Sequence, residues 1–514
     1  MIEEHSWSRD GRLTLRGSYP AAGGALEAVL RRRASADQHV VTVARDGDRF
    51  TIGIEAAGMP SFGQNLPLRD GTWDIFVRQP GTPGGLAVPG YDRARLAGLG
   101  HDKLSFGLKH FRFTTSGCDA PVLTVTPSLK ITERGGVRRR VLRRVYYPLQ
   151  RRLPVRDAVL FVSWKGKQCG DNPLAIAGEL RRRGDDREHI WAVTDYSVPA
   201  PDRARAVLTG TGDYFEALGR CRYLISNDDM PWPYTKRDGQ VYVQTWHGTP
   251  LKRIGFDMPE SASGASYFSR LAADVAKWDL LLSPNPFSTP VMRQAFRFDG
   301  EILESGYPRN DVLRSGNAGR IAAGVRRRLG LPAGKRVVLY APTWRDNQCY
   351  ASGRYRFDFR LDLERAWQEL GGDHVFLVRG HHHIADDVPA GPRPEFAINV
   401  TAYPDISELL LVSDALVTDY SSVMFDFAPT GRPIVFFTYD LEQYRDSLRG
   451  FYFDFEAEAP GPLLATSDEV ISAIAGIGTV AASHRAAYRA FTAKFCLLDD
   501  GKAAARACDR IFGK

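Results

Sequence analysis

The sequence has no Cys-x-x-Cys pair, and its six cysteines (Cys118, Cys169, Cys221, Cys349, Cys496 and Cys508) are scattered along 514 residues. That spacing argues against a disulfide framework or a structural zinc site and fits a reducing compartment. No apolar run approaches the ~20 residues that cross a bilayer, and the acidic start Met1-Ile-Glu-Glu-His5 is unlike a secretory signal. Also missing are G-x-x-x-x-G-K-[ST], a G-x-G-x-x-G after a strand, H-E-x-x-H, internal repeats and low-complexity tracts. Lysine is scarce: 12 lysines stand against 56 arginines, and the formal net charge is +8. Arginine suits planar, bidentate contact with phosphate, so a nucleotide, an anionic lipid or a phosphate polymer is an expected partner class, and nucleic acid is not. Base composition is the competing source of the total, since alanine and glycine are abundant too. With 43% hydrophobic and 25% charged residues the chain has globular composition, and its length suits about three domains.

Residues 1–135 read as short strands between turns: Arg12–Arg16, Val40–Ala44, Phe50–Ile54, Trp73–Arg78 and Val122–Thr126, with turn signals at Asp46-Gly47-Asp48 and Asp70-Gly71. A β-sandwich or similar mainly β module is expected. Residues 136–155 form a basic linker in which Val137, Val141, Leu142, Val145, Tyr146 and Leu149 share a helical face and arginines fill the other, with Pro148 interrupting the end. Such a segment is a membrane-surface helix or a solvated linker packed on the next domain. From Ala158 strands and helices alternate. Expected strands are Ala158–Ser163, Ile190–Thr194, Tyr223–Ser226, Val241–Trp246 and Leu280–Ser283, then Val337–Tyr340, Val375–Arg379, Ala415–Thr418 and Ile434–Phe437. This is the α/β signature of parallel sheets. A change-over near 310–325 gives two Rossmann-like domains, 156–315 and 316–514, facing each other in the GT-B layout.

The chemistry gathers at expected strand ends, where ligands bind in open α/β sheets. Val241-Tyr-Val runs into Gln244-Thr-Trp-His247-Gly248-Thr249-Pro250, delivering a histidine suited to proton transfer near neutrality. The first α/β strand ends in a polar loop with Lys165, Lys167, Asp171 and Asn172. In the second series Thr343, Arg345 and Asp346 leave one strand, Arg379-Gly-His381 the next, and Asp419-Tyr-Ser421-Ser422 a third. Serine hydroxyls and N–H groups at a helix start make an anion site for a diphosphate, although the same residues are also good N-caps. Adjacent His381, His382 and His383 would point to opposite faces of an extended segment, so no metal site is expected.

Gly170-Asp-Asn-Pro173, Gln244-Thr-Trp-His-Gly-Thr249, Ser305-Gly-Tyr-Pro-Arg309-Asn-Asp311, Tyr340-Ala-Pro-Thr-Trp-Arg-Asp346, Arg379-Gly-His381 and Thr418-Asp-Tyr-Ser-Ser422, in this order, resemble the motifs of the CDP-glycerol glycerophosphotransferase family, which includes teichoic acid primases and polymerases. The tail Phe495-Cys-Leu-Leu-Asp-Asp-Gly-Lys502 resembles that family's end, and the resemblance runs over roughly 155–514. It implies a GT-B fold with CDP-glycerol in the C-terminal half and the acceptor nearer the N-terminal half, no cofactor, and His247 and His381 as the catalytic histidines. Ser421 and Ser422 match hydroxyls near the donor diphosphate, with Thr343, Arg345, Arg360, Arg379 and Asp419 on the donor side. Lys165, Asp171, Asn172, Gly248, Thr249 and Arg309 fall on the acceptor side. His382 departs from the proline usual in relatives after the histidine. The expected reaction moves glycerol phosphate to a hydroxyl of a lipid-linked glycerol-phosphate, glycan or polymeric acceptor and releases CMP. It would take place on the cytoplasmic face of an anionic membrane to which the chain is bound peripherally. A GT-B transferase using CDP-ribitol or a nucleotide sugar, and a non-catalytic membrane- or polymer-binding scaffold, are the alternatives.

Overall fold

The structure is a computed structural model that describes residues 1–513 apart from 20–23, 34, 36, 80–86, 90–101, 116–119, 232, 260–264, 344–348, 352, 353, 356–358, 381–392, 394 and 449. The chain forms two compact units: Met1–Leu142 with Val193–Pro199, and Arg143–Ala192 with Ala200–Lys514.

In the first unit, strands with alternating buried and open residues (Leu13–Ser18, Arg49–Ile54, Gly71–Arg78, Lys109–Thr115) obey the period of two that a one-faced sheet requires. The expected turn at Asp46-Gly47-Asp48 is a hairpin: Asp46 pairs with Arg49, and Gly47 takes φ +57°. The expectation of a sandwich is refined to a nine-stranded sheet with a small two-stranded pair, Met59–Ser61 with Gln64–Leu66. It curls, so that His5 and Trp7 of its first strand (Ile2–Trp7) meet Phe113 and Phe111 of Lys109–Thr115 at ring separations of 5.0 and 6.1 Å. Trp73, Ile52, Leu13 and Leu123 fill the inside. Buried Lys109 pairs with Asp70 (2.8 Å) and Asp195 (2.5 Å), the latter from the Val193–Pro199 segment.

The second unit carries two large sheets whose resolved strand pairings are parallel, and a small antiparallel pair, Cys349–Ala351 with Arg354–Tyr355. The first runs in space Arg205–Leu208, Glu188–Val193, Arg156–Val162, Cys221–Ser226, Val241–Gln244, Leu280–Ser283, Glu301–Glu304. The second runs Ala397–Asn399, His374–Val378, Arg336–Ala341, Ala415–Thr418, Ile434–Phe437, Leu463–Leu464. In each sheet the strand order reverses beside its earliest strand, which opens a crevice at the strands' carboxyl ends. In the first sheet that switch lies between Arg156–Val162 and Cys221–Ser226; in the second it lies between Arg336–Ala341 and Ala415–Thr418. Strands such as Leu280–Ser283 and Ile434–Phe437 are buried at every residue, the pattern of sheets covered on both faces. The helix Ala503–Phe512 returns to the first sheet, where Ala507, Cys508 and Ile511 join Phe161, Ile176 and Trp191 in one core.

The basic segment is helical over Gly136–Gln150, with a wider π turn at Leu142–Tyr146. Its orientation differs from the expected apolar face. Leu142 and Tyr147 are buried, whereas Val137, Val141, Val145, Leu149 and Leu153 stay 41–73% exposed. The π turn widens the repeat from Leu142 on and shifts the residues after it, such as Leu149, about the axis.

Candidate functional site

The loop after Arg156–Val162 is shaped by three successive left-handed residues, Trp164 (φ +48°), Lys165 (φ +56°) and Gly166 (φ +87°). Two of them carry side chains, and strain of this kind costs on the order of 1–3 kcal/mol per residue and gathers at functional sites. The strain is held in place from the neighbouring strand, because Trp164 N–H donates to Asn227 Oδ1 at 2.8 Å. Trp246, just before His247, is also left-handed (φ +51°) and is pinned by its N–H to Gln244 Oε1 at 2.9 Å.

His247 thus sits over the switch point of the first sheet. Its Nδ1 lies 2.7 Å from the carbonyl oxygen of Asn227. A carbonyl only accepts, so Nδ1 carries the proton and Nε2 keeps its lone pair. The ring lies between Trp246 (4.3 Å, stacked) and Trp164 (4.8 Å). Burial pushes the His247 pKa below its ordinary value, and that outweighs the opposing pull of the Asn227 carbonyl and Asp171. The neutral imidazole with a bare Nε2 is the form a general base needs.

The remaining first-sheet residues form the frame of that histidine. Asn172 Nδ2 donates to the Trp246 (3.2 Å) and Thr245 (3.4 Å) carbonyls, and its Oδ1 accepts from Arg309 N–H at 3.1 Å. The Arg309 guanidinium pairs with Asp171 on one side (2.9 and 3.0 Å) and with Asp426 on the other (2.9 and 3.0 Å). All three side chains are nearly closed to solvent, at 5–8% exposure. Burial alone would lower the arginine's pKa; the two carboxylates outweigh it and hold Arg309 charged. Gly248 N–H donates to the Tyr307 hydroxyl at 3.1 Å, and Thr249 accepts from Asn285 Nδ2 at 3.3 Å. Lys165 reaches Asp229 (2.5 Å) and Asp228 (3.7 Å), and these carboxylates raise its pKa against the effect of burial. Asp228 is itself pushed up to about 7 by burial and by its carboxylate neighbour.

On the second sheet Thr343 and Asp419 close the switch point. The Thr343 N–H (2.9 and 3.0 Å) and hydroxyl (2.6 Å) donate to the Asp419 carboxylate. Ser421 and Ser422 follow, partly exposed, ahead of a helix of only five residues, Val423–Phe427. The Ser422 side chain makes no capping bond, and Ser421 Oγ accepts weakly from Val423 N–H at 3.4 Å. Capping therefore engages this turn only through that one long bond at Ser421. Arg379 donates to the carbonyls of Tyr403 (2.8 Å) and Val400 (3.3 Å), and burial lowers its pKa to about 10. Arg360 is exposed and lies 5.6 Å over the Tyr439 ring. His381 and Arg345 lie outside the described residues, as do Asp346, His382 and His383.

Gly248 brings the two halves together. A Cβ built on it would stand 2.7 Å from Ser422 Oγ and 3.0 Å from Ser422 Cβ. The His247 loop and the serine turn are thus in direct contact, and only a residue without a side chain fits between them. Sequence reasoning singled out His247, Asn172, Arg309 and the serines but passed over Asn227, Trp164, Tyr307 and Asp426. Asn227 had a readable signal, a polar Ser226-Asn-Asp-Asp229 run ending an apolar strand.

Residues 145–513 match the family described as CDP-glycerol:poly(glycerophosphate) glycerophosphotransferase. The chain belongs to that family. Among glycerophosphotransferase relatives, the teichoic acid poly(glycerol phosphate) polymerase of Bacillus subtilis (strain 168) is 40% identical over 393 residues, 74% of this chain and 52% of the relative. The chain thus spans about half the length of that polymerase. The teichoic acid glycerol-phosphate transferase of Staphylococcus aureus is 39% identical over 381 residues, 71% of this chain and 95% of the relative. The solved structure of the wall teichoic acid polymerase TagF aligns with a TM-score of 0.68 at 35% identity, over 73% of this chain and 93% of that one.

Proposed function

We propose that the protein transfers glycerol phosphate from CDP-glycerol to a hydroxyl of a lipid-linked or polymeric acceptor in teichoic-acid-like or capsular polymer synthesis. The observation that carries this reading is the contact between the His247 loop and the Ser421-Ser422 turn at Gly248. It sets the loop carrying a base with a bare nitrogen against a serine turn, in a chain of the glycerophosphotransferase family. The two parallel sheets act as a GT-B pair. The acceptor binds over the first sheet, with Lys165 lining its approach, and CDP-glycerol binds over the second.

The acceptor hydroxyl attacks the glycerol-bearing phosphorus. A new P–O bond forms, the bridging P–O bond breaks, and CMP leaves with that oxygen. His247 Nε2 takes the hydroxyl proton. Ser421 and Ser422, with Arg345, Arg360 and His381, hold the diphosphate and offset charge on the departing CMP. Phosphoryl transfer rests chiefly on positioning and electrostatics, which fits a histidine framed by so many fixed bonds.

The deciding measurement is CMP release by purified protein with CDP-glycerol, with and without a short glycerol-phosphate or lipid-linked acceptor. Acceptor-dependent release supports the reading; release with CDP-ribitol alone overturns the donor assignment. The double variant Ser421→Ala/Ser422→Ala is expected to weaken CDP-glycerol binding about tenfold or more, since hydrogen bonds to charged groups are worth roughly 1.5–3 kcal/mol each. Calorimetric titration giving an unchanged affinity would refute the diphosphate role.

The protein acts at the cytoplasmic face of the membrane, bound peripherally through its arginine-rich segment. This is supported by exposed Val145, Leu149 and Leu153 interleaved with exposed Arg144 and Arg152. Each basic side chain contributes ~1 kcal/mol near an anionic surface. The triple variant Arg139→Glu/Arg140→Glu/Arg144→Glu should therefore release the protein from phosphatidylglycerol vesicles in a flotation assay, and persistent flotation would count against the assignment.

A further inference from the structure

The first unit presents a second apolar surface on a different scaffold. Strands Lys103–Phe106 and Lys109–Thr115 form a hairpin whose two-residue turn is Gly107-Leu108, with Phe106 paired to Lys109. At its tip Phe106 is 41% and Leu108 54% exposed. Short backbone ties connect this tip to the start of the basic helix. Ser128 N–H donates to the Leu108 carbonyl at 2.8 Å, just after strand Pro121–Pro127. The tight turn Ile131–Glu133 follows, with Ile131 68% exposed, and the Arg138 guanidinium reaches back to the Ile131 carbonyl. Val137 and Val141, four residues apart on one helical face, are 73% and 50% exposed.

Five large apolar side chains on three tied elements are thus left open within the unit. Among the described residues the exposed charge around them is mainly positive. Lys103, Lys130, Arg134, Arg138, Arg139 and Arg140 are exposed. The carboxylate of residues 128–142, Glu133, is buried and turned inward to the Lys130 N–H (3.0 Å), and Asp102 on the hairpin pairs with Arg112 (3.4 Å). A soluble polyanion would call on the cations alone and leave Phe106, Leu108 and Ile131 in water. An anionic bilayer uses both, with cations at the headgroups and apolar side chains below them.

We infer that the Phe106–Leu108 hairpin tip is a second membrane anchor, inserting beside the basic helix into an anionic lipid surface. This rests on the peripheral-membrane reading above and adds to it an element outside the family match at 145–513. Two anchors on separate scaffolds would fix the orientation of the first unit on the bilayer, which a single helix leaves free to rotate about its axis.

The test uses the full chain with vesicles of phosphatidylglycerol and phosphatidylcholine, vesicles of phosphatidylcholine alone, and inorganic polyphosphate. The variant Phe106→Asp/Leu108→Asp should lose about tenfold or more in affinity for the anionic vesicles, while keeping the wild-type melting transition and CMP release with a soluble acceptor. A Phe106→Trp reporter should shift to the blue and be quenched by brominated lipid only on anionic vesicles. If the hairpin variant binds like wild type while Arg139→Glu/Arg140→Glu/Arg144→Glu is released, the hairpin anchor is wrong and the helix reading stands. If the wild type ignores all vesicles, both fall. Binding to polyphosphate but not to vesicles would overturn the bilayer in favour of a soluble polyanion.

Discussion

Replacing His247 with alanine is expected to lower acceptor-dependent CMP release by ~10²–10⁴-fold, the usual contribution of a positioned general base, while leaving CDP-glycerol binding and the melting transition nearly unchanged. The local bonds explain the separation. Asn227 Oδ1 still receives Trp164 N–H, and Asn172 still holds the Trp246 carbonyl, so the loop keeps its path without the imidazole. The pH profile gives a second handle. Burial lowers the His247 pKa, so the ring stays neutral further into acid than an ordinary histidine of pKa ≈ 6.5. The acid limb of kcat/KM should therefore fall below pH ~6.5. The sign for stability agrees: below that pH the unfolded chain takes up the proton more readily than the folded one, and His247 costs stability as pH falls. Turnover by His247→Ala within threefold of wild type, or an acid limb that survives the substitution, would remove His247 from the reaction.

The largest stability effect is expected at Arg309. Replacing it with leucine strands Asp171 and Asp426, both nearly closed to solvent. Removing one member of a buried ion cluster costs roughly 3–5 kcal/mol because the remaining charge is uncompensated. Arg309→Lys keeps the charge but loses the two-sided planar fork that reaches both carboxylates, and should fall between. Denaturant titration with an unchanged slope m measures this directly, and a midpoint for Arg309→Leu equal to wild type would sink the argument. Activity should fall too, because the Arg309 guanidinium anchors Asp171, and the adjacent Asn172 holds the Trp246 carbonyl beside His247.

What could be read from the sequence follows from how local the cause is. Leu280–Ser283, Ala415–Thr418 and Ile434–Phe437 are expected at the very residues where they form, because strands of parallel sheets buried on both faces are continuous apolar runs. Glu301–Glu304 and Ala397–Asn399 are missed: they are short and lie at sheet edges, so no apolar run announces them. His247 was legible because a strand delivers it. The bond that fixes its tautomer was not, since Asn227 lies 20 residues away. Asp171, Arg309 and Asp426 are separated by 138 and 117 residues, and pairing at such range is a property of the fold alone. The curl of the nine-stranded sheet and the outward turn of Val145 and Leu149 are likewise set by packing and by one π turn, which hydrophobic spacing does not encode.

The position of helix Ala503–Phe512 governs the order in which the molecule can be completed during synthesis. The first parallel sheet is translated before the second, yet Ala507, Cys508 and Ile511 complete its core. While the ribosome is still making the second sheet, the core around Phe161 and Trp191 has helix Asp171–Arg182 but still lacks Ala507, Cys508 and Ile511. Contacts this far apart in sequence slow folding and lengthen the exposure of apolar surface. The nascent chain therefore keeps part of this core open to water until helix Ala503–Phe512 emerges.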